Sequence, residues 1–134
     1  LIAKAAGAGG GMTIQPIPFP AGVAKLDDAA EEQVNGLVRV LAERDRLTLR
    51  VCGRATASDL TAALAAEGAP ASGPQRDAAA ERLAPQLWSL AGERTSRTRD
   101  ALITQGGAKA RQVGECRILY DPTDTGPPRV EVTL

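Results

Sequence analysis

The sequence predicts an α/β domain, a two-layer sandwich with its elements in the order β-α-β-α-β-β. Three observations carry this. The chain has 134 residues, one domain's worth of polypeptide. Two segments place apolar residues at helical spacing, with an alternating apolar and polar stretch between them. Two more extended segments close the chain, and two long helices after strands are enough to cover one face of a sheet.

Leu1 to Met12 is glycine-rich (Gly7, Gly9, Gly10, Gly11), with no strand before it and no Lys-Ser/Thr after it. It therefore reads as a flexible linker from a longer parent protein, not a phosphate loop, and leaves 13–134 as the domain. Thr13 to Phe19 is extended: Ile14, Ile17 and Phe19 are apolar, while Pro16, Pro18 and Pro20 forbid helix. After a Pro-Ala-Gly turn, Asp27 and Asp28 open a helix with Ala30, Val34, Leu37, Val38 and Leu41 on one face. Arg44-Asp45 ends it, and Leu47, Leu49 and Val51 alternate with polar residues in a half-buried strand ending at Gly53. Residues 56–85 are poor in large apolar side chains and read as a long loop, with Ser58-Asp59-Leu60 able to cap a short helix ending at Gly68. The second long helix is expected from Pro85 to Gly106-Gly107, with Leu87, Leu90, Ala91, Thr98, Ala101 and Leu102 along it. Arg111 to Tyr120 and Arg129 to Leu134 are the last strands.

Composition excludes much. The chain has no histidine, which removes Ser-His-Asp and Cys-His catalysis and the usual mixed zinc sites. No nucleophile stands beside a base, and carboxylates such as Asp59 and Glu115 are not brought together by any spacing, so neither an enzyme, a cofactor nor a metal is expected. Sixteen basic and sixteen acidic residues balance, so no net charge draws the chain to nucleic acid or an anionic membrane. No run is long and apolar enough to span a bilayer. Cys52 and Cys116 are buried thiols, or one disulfide if the compartment is oxidising and their strands are neighbours.

Arg94 stands out because it shares a helical stripe with Leu87, Leu90, Thr98 and Ala101, where an apolar residue is the default. Either its guanidinium clamps a ligand carboxylate, or it pairs internally with an Asp or Glu of the loop, or it snorkels outward. Arg94, Arg97 and Arg99 also read as a solvated basic helix surface balanced by Glu93 and Asp100. Trp88, off the main stripe, is a packed lid over the loop or a contact for another part of the parent protein.

Around Arg94 the chain resembles the OmpA-like domain, a peptidoglycan-binding module of bacterial envelopes. That family carries N-x-x-L-S-x-x-R-A-x-x-V-x-x-x-L on its second helix. Here Leu90, Arg94 and Leu102 match, while Leu87, Ala91, Thr95 and Thr98 replace Asn, Ser, Ala and Val. The G-H-T-D that ends the family's preceding strand is Gly53-Arg54-Ala55-Thr56, so only the glycine is kept. Ile17-x-Phe19 and Arg129-Val130-Glu131-Val132 fit the family's first and closing strands. The linker and loop look most like the degenerate form at the C-terminal end of large AsmA-like envelope proteins of Gram-negative bacteria.

The resemblance implies a mixed sheet with both long helices on one face, a periplasmic location, and a membrane-anchored parent whose terminal domain is itself soluble. It also implies a ligand site at Gly53, Thr56, Leu87 and Arg94. In the binding members, the Asp and the Arg together hold the zwitterionic end of diaminopimelate. Here Thr56 stands at the Asp position, and an unpaired ligand ammonium would weaken binding by roughly 2–5 kcal/mol. Asp59 could supply the anion from a shifted loop, and Thr56→Asp would restore it if the geometry survives. The expectation is a structural and protein-interaction module that meets other envelope proteins through a degenerate site. The alternative is a peptidoglycan-binding anchor.

Overall fold

A computed structural model describes residues 3–6 and 11–134, with side chains from residue 14 onward. The ordering of layers follows the prediction. The first strands, β1 (Ala3–Ala6) and β2 (Gly11–Ile14), pair antiparallel as a separate ribbon. Part of the stretch expected as open linker is therefore ladder; Leu1, Ile2 and residues 7–10 lie outside the described residues. The single strand expected over 13–19 is broken at Gln15-Pro16, and resumes as β3 (Ile17–Pro18). Proline offers no N–H to continue the ladder.

Helix α1 (Asp28–Glu43) starts on Asp27, whose carboxylate accepts from the Ala30 N–H at 2.8 Å. Its buried residues are Ala30, Val34, Leu37 and Leu41, four of the five expected in the stripe; the fifth, Val38, is half-buried against the same core. Strand β4 (Leu49–Ala55) follows and runs two residues past Gly53. The region 56–85 resolves into α2 (Ala57–Ala66), a short connection, and the first twelve residues of α3 (Pro74–Asp100). Pro85 is thus inside a helix, where it lacks the N–H for an i→i−4 bond, and Pro74 holds the first-turn position after Gly73 at φ 96°. The apolar stripe reaches upstream of Pro85 through Ala79 and Leu83, both buried, and that pattern overrides the single proline.

Helix α3 runs into a π-helical turn, Ala101–Gln105, and stops at Gly106-Gly107, the latter at φ 85°. The segment expected as one strand over 111–120 is a 3-10 turn (Ala110–Gln112) and two short strands, β5 (Val113–Glu115) and β6 (Leu119–Tyr120). The last strand, β7 (Arg129–Thr133), alternates as predicted. The sheet order is β3-β7-β4-β5, with β6 pairing the far half of β4. β4 is parallel to β5 and β6 and antiparallel to β7, so the sheet is mixed.

The core has two lobes. In one, α1 and the π turn cover Ile17, Leu49, Val51, Val113, Val130 and Val132. In the other, α2 and α3 cover Ala55 and Tyr120 with Leu60, Leu64, Leu83 and Leu87. Cys52 and Cys116 form a disulfide across β4 and the segment after β5, with Cα atoms 5.0 Å apart.

Candidate functional site

The second lobe holds the site around Arg94. Gly53 lies where α3 crosses β4. A side chain there would come within 2.6 Å of Thr95 Oγ1 and also strike the Ala91 carbonyl, so only glycine admits this approach. The Gly53 N–H donates to Thr95 Oγ1 at 2.8 Å, and this fixes the helix on the strand. Thr95, whose position carried no signal beyond a motif mismatch, is therefore a positioning residue.

That docking aims Arg94 into the protein, where it is 0% exposed. It is not part of a solvated basic face; Arg97 is exposed, and Arg99 Nε donates to the Val113 carbonyl at 3.1 Å. Asp59, also 0% exposed, meets the guanidinium in a bidentate pair: Nη1 to Oδ2 at 2.7 Å and Nη2 to Oδ1 at 2.6 Å. The remaining donors go to backbone carbonyls. Nη1 reaches Arg54 at 2.8 Å, Nη2 reaches Val23 at 3.0 Å and Pro20 at 3.2 Å, and Nε reaches Val23 at 3.1 Å. All five N–H groups of the guanidinium are engaged. The Phe19 ring lies beneath, its centroid 5.4 Å from Arg94 Cζ.

Asp59 is equally full. Oδ1 accepts from the Gly22 N–H at 2.8 Å, and Oδ2 from the Thr56 N–H at 2.9 Å. The second contact caps α2, with Asp59 reaching back three residues. Burial alone would push the Asp59 carboxyl up; Arg94 and the two backbone N–H groups outweigh it and hold the group below the usual carboxylate range. The turn over the site needs Gly22, at φ 79°, so that its N–H can face Asp59.

The structure brings together Arg94, Asp59, Thr56 and Gly53, and of the readings left open for Arg94 it selects the internal pair. Thr56 is 0% exposed and its hydroxyl has no hydrogen-bond partner. An aspartate there would face Asp59 with no free guanidinium donor, which reverses the expectation that Thr56→Asp would restore a clamp. Leu87 lies in the apolar lobe and lines a groove of about 400 Å³ between α2, α3 and the Gly22 turn, beside Asp59, Ala62 and Glu93. Trp88 is 41% exposed and meets Tyr120 edge-on at 6.3 Å. No group of three or more Cys, Asp or Glu suited to a metal occurs among the described residues.

No family model matches the sequence, and no curated protein matches it. Solved structures do. The OmpA-like domain of FopA1 from Francisella tularensis superposes with a TM-score of 0.60, at 13% identity, over 87% of this chain and 68% of that one. The fold is OmpA-like. The C-terminal domain of Helicobacter pylori MotB matches at TM-score 0.59 and 15% identity, over 90% of this chain and 83% of that one. The longer periplasmic domain of the same protein gives 0.51 at 15% identity, over 98% and 86%. Within this OmpA-like fold, Arg94 of α3 takes its anion from inside the domain, from Asp59 of α2.

Proposed function

We propose that the chain is a non-catalytic periplasmic module of a larger cell-envelope protein, one that keeps the OmpA-like fold for structure and protein contacts and has closed its peptidoglycan site. The observation that carries this is the saturation of Arg94 and Asp59. A stem-peptide carboxylate would have to displace a bidentate, fully desolvated carboxylate held by two further N–H donors, and it would offer nothing more in return. The Cys52–Cys116 disulfide supports an oxidising compartment such as the periplasm. The likeness to a domain described as periplasmic in MotB points the same way. In this reading the parent is an AsmA-like, membrane-anchored protein of a Gram-negative bacterium, and this is its terminal domain.

The test is calorimetric titration of the domain with a soluble diaminopimelate-containing muropeptide. The expected result is no saturable heat. Saturable binding that is weakened in a folded Arg94→Met variant would overturn the proposal and make the domain a cell-wall anchor.

A further inference from the structure

The charge of the chain sums to zero, but it is not evenly placed. Where α1 ends, the loop 44–48, the 3-10 turn and the start of β5 meet. Arg46, Arg50, Lys109 and Arg111 are all exposed there. Asp45 is the carboxylate paired with them: Arg111 Nη2 donates to it at 2.8 Å, and Lys109 donates to its other oxygen, while Glu115, exposed at the end of β5, makes no ion pair among the described residues. Arg46 and Arg50 have no ionic partner among the described residues. Glu43, in the last turn of α1, lines the outer face of that helix together with Arg39.

Cations at helix C-termini usually serve the helix dipole, but here both ends are closed by neutral groups. The Gln112 carboxamide, almost fully buried, donates to the carbonyls of Leu41, Arg44 and Leu47 at 3.0–3.2 Å. The π turn is closed by the N–H groups of Gly106, Gly107 and Ala108 onto Ala101, Ile103 and Leu102. The cations are surplus to capping. Four further carboxylates, Asp27, Asp28, Glu31 and Glu32, are at the other end of α1, roughly 17–24 Å away at about 1.5 Å per residue. That is roughly two to three times the Debye length of about 8 Å at physiological salt.

We infer that this basic end is a docking surface for anionic phospholipid headgroups, holding the domain against a membrane with its acidic end outward. A planar anionic surface is favoured over an acidic peptide because the four cations stand exposed on three separate segments, the loop 44–48, the first residues of β4 and the 3-10 turn with its cap, with the small exposed Gly107 and Ala110 beside Lys109 and Arg111. A few cations give weak binding, suited to orienting a domain already kept nearby by its parent.

The test is co-sedimentation of the whole domain with vesicles at millimolar lipid and low ionic strength, phosphatidylglycerol–phosphatidylcholine against phosphatidylcholine alone. Binding to the anionic vesicles only, falling with salt, is expected. The triple variant Arg46→Gln, Lys109→Gln, Arg111→Gln should lower partitioning by about five-fold per cation, roughly a hundredfold in all. The triple Lys25→Gln, Arg76→Gln, Arg82→Gln, which removes the same charge elsewhere, should lower it far less. Three results would overturn the inference: no binding to anionic vesicles, an equal loss in both triples, or capture by a poly-glutamate peptide in preference to vesicles.

Discussion

Asp59 and Asp45 are each held by basic side chains, Asp59 by Arg94 and Asp45 by Lys109 and Arg111, yet the two sites differ in nearly every physical respect. At Asp59, carboxylate and guanidinium are both 0% exposed, and backbone groups fill every remaining position. At Asp45, the carboxylate is 60% exposed, with Arg111 at 55% and Lys109 at 59%. Water competes for those contacts, and salt screens them. The same residue types thus make an internal brace in one place and a surface with spare charge in the other. An arginine that suits a ligand clamp by its place in the sequence says nothing about availability until its donors are accounted for.

The largest effect expected is at the brace. Asp59→Ala leaves Arg94 as an uncompensated buried charge and should cost about 3–5 kcal/mol in urea unfolding, with loss of the α2 cap included. A smaller loss would mean that Arg94 can reach water. Next comes Thr56→Asp, which adds a second buried carboxylate beside Asp59 and should destabilise by about 3 kcal/mol. Thr56→Val only removes an unpartnered hydroxyl, so it should be neutral or slightly stabilising in the same assay.

Acid separates the two regions further. Because the Asp59 pKa is depressed in the folded state, its contribution to stability is fully present above the unfolded value near about 3.9. It is lost as the pH falls through the lower folded value. Urea midpoints should therefore drop below about pH 4, and the drop should be shallower in Asp59→Asn. The smallest effect is Asp45→Asn: although Lys109 and Arg111 hold the Asp45 carboxyl below its usual range, the exposure of all three side chains should leave the unfolding midpoint unmoved at physiological salt.

The contrast also shows which parts of the molecule were legible in the sequence. The α1 stripe and β7 follow from periodicity alone, and Arg94 drew notice because a charge stood in an apolar row. Gly53 is legible only as a match to the motif the chain resembles, and the close approach of α3 gives it a steric cause. The identity of the Arg94 partner was not readable, since Asp59 is 35 residues away and two of the three carbonyls come from the turn after β3. Backbone acceptors carry no residue signature. The start of α3 is ambiguous in the sequence because Pro85 and Pro74 both suit a first turn, and only the stripe through Ala79 and Leu83 decides between them.

The central claim, that Arg94 is held by the chain's own Asp59, is tested most directly by a double-mutant cycle of Asp59→Ala and Arg94→Met, read by urea unfolding. The account predicts that each single change is costly and that the pair together costs no more than the worse single, a coupling of about 3 kcal/mol or more. Additive effects, with coupling below about 0.5 kcal/mol, would contradict it and return Arg94 to the list of groups free to meet a ligand.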